Sequence, residues 1–175
     1  MACWPRTLGD SPNMRSAEIT VRYATVADSR DLWLWRNDPL TRAMSKDDGE
    51  VSWEDHSAWF AKIMARPETA LFIGEQQGGK IGMCRFDRNL ERATCVVSIN
   101  LNPDHRGRGL STLLLRRALA EFATGFSGDF LAEIRTDNLA SRQCFLKNGF
   151  EHEGEAGQFE HYRLSPPDLR KLPPK

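Results

Sequence analysis

The 175-residue sequence is short of most features that announce a function. It has no apolar run near the roughly 18 residues a membrane-spanning helix needs, so no membrane partner is expected. Its four cysteines, Cys3, Cys84, Cys95 and Cys144, form no C-x-x-C pair, and its four histidines form no H-x-x-x-H pair. The ligand spacings of structural zinc and of helical metalloprotease sites are therefore missing, and no metal is expected. An excess charge of one sign is also lacking. Lys plus Arg and Asp plus Glu stand at 24 each, which removes the field that would draw nucleic acid. No secretory leader is visible, so the expected location is cytoplasmic, with thiols kept reduced. Repeats and linkers are absent too, and the length suits one mixed α/β domain with a substantial core.

What is present centres on Leu101-Asn102-Pro103-Asp104-His105-Arg106-Gly107-Arg108-Gly109-Leu110-Ser111. Before it, Cys95–Leu101 alternates Val97, Ile99 and Leu101 on one face, the period of a strand. After it, Leu110, Leu113, Leu114, Ala118 and Phe122 recur at helical steps, with Arg116, Arg117 and Glu121 off the stripe. Glycines at a strand-to-helix corner let backbone N–H groups approach an anion, and the positive end of the helix dipole favours phosphate. Arg106 and Arg108 add charge, and Arg116 and Arg117 lie near in sequence. A plain tight turn and a solvated helix face are the alternatives. Thr112 stands where a dinucleotide fingerprint needs Gly or Ala, so Asp129, further on, does not complete that pattern. No Gly-Lys-Ser/Thr follows, which excludes a Walker A loop.

In chain order, 1–16 reads as a loose leader, with Met14 an alternative start. A strand is predicted at 18–23 and a helix at 27–36, with Leu32, Trp33 and Trp35 as its apolar bulk and Pro39 closing it. A polar loop, 45–50, leads to a helix capped by Ser52 and running to about Ala65. Its Trp59, Phe60 and Ile63 face inward. His56 sits among aromatics and can be either a packed, hydrogen-bonded residue or a catalytic one. Strands at 70–75 and 80–86 flank the Gln76-Gln77-Gly78-Gly79 turn, and 92–101 returns antiparallel. A strand at 130–135, a helix at 138–147 ended by Gly149, and a hairpin at 150–153 and 158–164 complete the domain, 17–165. The proline-rich tail, 166–175, does not continue it. Cys144 reads as a small buried hydrophobe.

Arg106-Gly107-Arg108-Gly109-Leu110-Ser111 resembles the acetyl-CoA motif Arg/Gln-x-x-Gly-x-Gly/Ala of the GCN5-related N-acetyltransferase (GNAT) superfamily, with Ser111 in place of the usual last small residue. Asn138-Leu-Ala-Ser141-Arg-Gln-Cys-Phe145-Leu-Lys-Asn-Gly149-Phe150 is similar to that family's second signature. The resemblance implies an α/β fold with a mixed, mostly antiparallel sheet of about seven strands and about four flanking helices. It implies acetyl-CoA as cosubstrate, transfer to a small amine-bearing substrate by direct attack on the thioester, and is compatible with a homodimer. Leu101, Arg106, Gly107, Arg108, Gly109, Leu110, Ser111, Asn138, Ser141 and Phe145 are then the expected cofactor residues, with Asn138, Ser141 and Phe145 on one helical stripe and Leu139 and Leu146 turned to the core. Asn138 as a helix cap is the simpler role. A backbone N–H near Leu101 would serve the oxyanion.

Many members carry Tyr where Phe145 stands, and Phe145 cannot protonate the departing thiolate. A thiol with a pKa of about 8.5 leaves tolerably without a dedicated acid. Glu133 is the first candidate base and His56 the second. Trp35-Arg36-Asn37-Asp38 and Ser52-x-x-Asp55-His56-x-x-Trp59 resemble the branch of nucleotide-linked amino-sugar N-acetyltransferases of the pseudaminic-acid pathway, and also the ribosomal-protein N-terminal acetyltransferases. Arg36, Asn37 and His56 would then bind substrate. A silent CoA-binding module is the contrasting expectation.

Overall fold

The computed structural model describes residues 18–166. The leader, Met14 and all but the first residue of the tail lie outside that span. The chain builds a seven-stranded sheet in the order β1-β2-β3-β4-β5-β7-β6, from β1 (Thr20–Tyr23), β2 (Thr69–Gln76), β3 (Gly79–Asn89), β4 (Thr94–Leu101), β5 (Asp129–Arg135), β6 (Glu151–Ala156) and β7 (Phe159–Leu164). Five α-helices pack on it: α1 (Ser29–Asn37), α2 (Pro39–Ala43), α3 (Trp53–Met64), α4 (Leu110–Phe122) and α5 (Leu139–Leu146). The expected strands, turns and four longer helices are all present. The short α2 is the addition. Among the described residues no helix is long and apolar enough to cross a membrane.

Every neighbouring pair in the sheet is antiparallel except β4 with β5. That parallel pairing covers only Thr94–Val96 against Asp129–Leu131, after which the strands part. The gap between Val97–Leu101 and Ala132–Arg135 is the feature around which the site is built. The β2–β3 hairpin turns at Gln77 and Gly78, both with positive φ (53° and 79°), the geometry of a two-residue hairpin.

Strand alternation sorts side chains onto two faces. On one, Phe72, Cys84, Phe86, Cys95, Val97, Phe130, Ala132, Ile134, Tyr162 and Leu164 meet α4 and α5 in the main core. Phe86 stacks on Phe122 with ring centroids 4.4 Å apart. The apolar arc of α4 is Leu110, Leu114, Leu115, Ala118, Leu119 and Phe122. Leu113 was expected in this stripe but is 47% exposed, because it falls outside the arc that Leu115 and Ala118 centre. Leu139 and Leu146 are likewise exposed, and α5 buries Cys144 and Phe145 instead. On the other face, α1 and α3 pack on β2 and the strands beside it, through Leu32, Trp35, Phe60, Ile63, Leu71 and Ile73. On the same face, β4 is met by α2 through Thr41 and Asn100, while β5 and β7 lie beyond the helices. Across these three strands that face carries Ser98, Asn100, Glu133 and His161.

Candidate active site

The cradle forms where β4 ends. Asn102 caps a single 3-10 turn, accepting the Asp104 N–H at 3.1 Å, and the chain then passes Gly107 and Gly109 with φ of 74° and 72°. These left-handed angles cost an ordinary residue about 1–2 kcal/mol, which is why glycine stands at both positions. A Cβ at either would meet nothing within 4 Å, so open space lies above them. Gly109 opens α4, whose first-turn N–H groups have no partner within the helix. Leu110 is buried and contributes only backbone, Ser111 lies in that first turn, and Arg108 is exposed beside it. Such a set of donors, with the helix dipole behind it, fits a pyrophosphate. The parted strands below it provide a slot ending at Leu101.

Comparison with known proteins fits this geometry. Residues 18–151 match the family model described as an acetyltransferase (GNAT) domain. The chain belongs to the GNAT acetyltransferase family. It is 32% identical over 115 residues to the N-alpha-acetyltransferase RimI of Mycobacterium tuberculosis, covering 63% of this chain and 69% of that protein. Among solved structures it resembles AAC(6')-Ib in complex with ribostamycin and coenzyme A, at 17% identity and a TM-score of 0.78, covering 88% of this chain and 97% of that one. It also resembles the spermidine N-acetyltransferase of Vibrio cholerae in complex with CoA and spermine, at 18% identity and a TM-score of 0.72 over 83% of this chain and 93% of that one. The protein is an acetyl-CoA-dependent N-acetyltransferase.

Within this GNAT domain the predicted site residues separate into two groups. Glu133 lies beside the gap between β4 and β5. It follows the last β4–β5 pair by two positions, so with Ser98 opposite it stands at the mouth of the gap, on the open face. Its carboxylate accepts a hydrogen bond from Lys46 Nζ at 2.7 Å, and its cross-strand neighbour is His161.

Arg106 is a correction. Its guanidinium points away from the cradle, donating to Asp38 Oδ2 and Thr41 Oγ1, each at 2.6 Å. It ties the cofactor loop to the start of α2. Burial works against ionisation of Asp38, yet the Thr41 N–H and the Arg106 guanidinium hold its carboxyl below the usual range. Arg116 and Arg117 also leave the cradle, bonding the Lys147 carbonyl at 3.2 Å and the Glu18 carboxylate at 2.7 Å.

His56 is packed into the α1–α3 layer. It is 3% exposed, its Nε2–H donates to the Ser29 carbonyl at 2.8 Å, and Trp53, Trp59 and Phe60 surround its ring. Burial depresses its pKa, against the pull of the Ser29 carbonyl, so it stays neutral. Arg36 and Asn37 also bond within the fold, although Arg36 Nη1 is buried without a partner. Arg36 Nη2 donates to the Asp47 carbonyl at 2.7 Å, and Asn37 clasps both the carbonyl and the N–H of Val51 at 2.8 and 2.9 Å. They fold the α2–α3 loop.

Phe145 is a core residue, 2% exposed and edge-on to Phe150, and is not open to the gap as its place on the Asn138 stripe implied. The Asn138 side chain caps α5 by accepting the Ser141 N–H at 3.0 Å. Cys144 is buried, and desolvation pushes its thiol up to about 11, which suits a small hydrophobe. His152, Glu155 and Glu160 bring ligand atoms within 4.8 Å of one another on the last hairpin, but Glu160 is committed to the Tyr162 hydroxyl at 2.5 Å and to Arg142 at 2.9 Å.

The residues missed from sequence are those of α2 and its loop. Asp38 accepts the Thr41 N–H at 2.9 Å with Pro39 in the first turn, a capping signal the sequence carries. Thr41 donates to Asn100 Oδ1 at 3.2 Å, fixing α2 over β4. Nothing in the sequence marks Lys46.

Proposed function

We propose that the acceptor is a small primary amine whose nitrogen comes to rest against Glu133 at the mouth of the β4–β5 gap, with Glu133 taking its proton. The observation that carries this reading is the carboxylate's present partner, a primary ammonium at 2.7 Å. In the reaction the amine attacks the thioester carbonyl, backbone donors beside Leu101 stabilise the oxyanion, and the CoA sulfur takes its proton from the amine or from water. Phe145 supplies none. Asn138 and Ser141, joined at the capped start of α5, are proposed to line the cofactor. The cytoplasm is the proposed location, in keeping with the buried, unpaired Cys84, Cys95 and Cys144.

Among acceptor classes, a nucleotide-linked amino sugar is the reading first favoured by the segment around Trp35. With Arg36 and Asn37 holding a loop, phosphate recognition falls instead to exposed cations near the gap, and a compact cationic amine asks less of the site. AAC(6')-Ib with ribostamycin and the spermidine enzyme with spermine both pair this fold with polycationic amines. The test is a panel at matched concentration: UDP-linked 4-amino sugars, free amino sugars, polyamines and short peptides, read as thiol release from acetyl-CoA. A higher kcat/KM for free amines supports the proposal. Preference for peptides supports protein N-terminal acetylation, and saturable CoA binding without release across the panel supports a silent module.

A further inference from the structure

The contact between Lys46 and Glu133 has more in it than a surface ion pair. Lys46 lies in the loop after α2, 87 residues from Glu133, and reaches across the open face to set Nζ 2.7 Å from Oε2. Its ammonium also stands 5.5 Å from the centroid of the Phe159 ring, on the same face of β7 as His161. Carboxylate and aromatic face together form an ammonium receptor. The loop is fixed on both sides of Lys46. Ser45 Oγ donates to the Thr41 carbonyl at 2.7 Å, Arg36 to the Asp47 carbonyl at 2.7 Å, Arg42 Nε to the Asp48 carbonyl at 2.8 Å, and Asn37 holds Val51. The α2 end is anchored to β4 through Thr41 and Asn100 and to the cofactor loop through Arg106 and Asp38. The segment from Asp38 to Val51 therefore forms a strap from β4 to β5, with the primary amine of Lys46, between its anchored ends, against the candidate base.

We propose that Lys46 is a self-acceptor: the protein acetylates its own Lys46 in the same chain. This rests on the reading of Glu133 as base. Lys46 gives one proton to Glu133, its nitrogen attacks the thioester carbonyl of acetyl-CoA, the C–N bond forms and the C–S bond breaks. The electron pair leaves on sulfur, which takes the second proton from nitrogen. The products are an amide on Lys46, free CoA thiol and a protonated Glu133 that returns its proton to water. A neutral amide no longer pairs with the carboxylate, so the strap loses its tether to β5 and the receptor is freed for an external ammonium.

The full chain is incubated with isotopically labelled acetyl-CoA and no added amine, and followed by intact mass and peptide mapping at several protein concentrations. The exposed Lys62 and Lys147 serve as internal controls for uncatalysed acetylation. The expected result is one acetyl group on Lys46, first order and independent of protein concentration, faster than on the controls by roughly a hundredfold, the lower end of what a positioned base contributes. Glu133→Gln should bring Lys46 down to the control rate. Hydrogen exchange should show residues 44–51 losing protection once Lys46 is acetylated, and in Lys46→Gln without acetyl-CoA. Labelling no faster than Lys62 and Lys147, labelling unchanged in Glu133→Gln, or a rate that scales with protein concentration overturns the proposal. External amines turned over with Lys46 unlabelled also overturn it, and leave the proposed function standing. Neither label nor turnover, with acetyl-CoA still bound, removes both.

Discussion

Replacing Arg106 by alanine separates two accounts of the cofactor loop. If the side chain were a phosphate ligand, its loss would remove a charge-assisted contact of about 1.5–3 kcal/mol from acetyl-CoA binding, roughly a tenfold to hundredfold rise in Kd. The structure puts those bonds elsewhere, on Asp38 and Thr41. Both charges of that pair are largely but not fully buried, with side chains 26% and 18% exposed. Asp38 keeps the Thr41 N–H when the arginine is gone. The pair is thus worth less than the same contacts in a dry core, and about 1–2 kcal/mol of stability is expected to be lost. For a chain of this size that is a fall in Tm of about 2–8 °C. Calorimetric titration should find acetyl-CoA affinity within about threefold of the wild type, while the acceptor KM rises because α2 is no longer pinned. Arg108→Ala, at the exposed residue beside the cradle, should do the reverse. A tenfold loss of acetyl-CoA affinity in Arg106→Ala at unchanged Tm would refute this account.

Glu133→Gln should lower kcat by about 10²–10³ and leave the KM for acetyl-CoA near its wild-type value; unaltered turnover with the same acidic limb in the pH profile would remove Glu133 as base. Stability should fall with acid over two pH windows. His56, whose pKa burial depresses, is neutral in the fold, so stability is present above about pH 6.5, where the unfolded imidazole is neutral too, and declines as pH falls below that value. Asp28 is fully buried and held well below the usual carboxylate range by Arg22, over the opposing effect of burial, with help from Lys80 and the Thr25 N–H. Its contribution persists above about pH 4 and drains below. Urea midpoints against pH should lose the decline in the first window in His56→Gln and in the second in Asp28→Asn. Gly109→Ala should fold with about 1–2 kcal/mol less stability, since only φ and not space opposes it, whereas Gly109→Val should also cost acetyl-CoA affinity by titration.

Much of this was legible because the signals are local. The alternation of Val97, Ile99 and Leu101, the two glycines and the Ser52 cap each report on a few neighbouring residues, and strand, corner and helix follow from them. Side-chain destinations are not local. Arg106 sits in a motif that suggests phosphate, yet it bonds residues 65 and 68 positions away, and no spacing rule reaches that far. The same holds for Arg36 and Asn37, whose partners lie in a loop without periodicity. His56 is open between two roles in the sequence, and the three aromatic rings that bury it are spread over a helix turn whose packing no spacing rule reports. Leu139 and Leu146 went wrong for a simpler reason: α5 is short, and its weak stripe sets Cys144 and Phe145 inward.

The seam between β4 and β5 is only three residue pairs long. A sheet joined so briefly behaves less as one plate than as two leaves bound along a short spine, with α4 as the binding. Each leaf keeps its own ladder of antiparallel hydrogen bonds, so either one can tilt slightly without unravelling itself. Amides along the free edges of the opening should exchange with solvent at a lower energetic cost than those in β2 and β3. A molecule wedged between the leaves would stiffen the whole domain while touching little of it. Substitutions that alter one leaf's fit to an amine would leave the other's grip on a nucleotide intact, which is how a single scaffold could change its acceptor while keeping its donor.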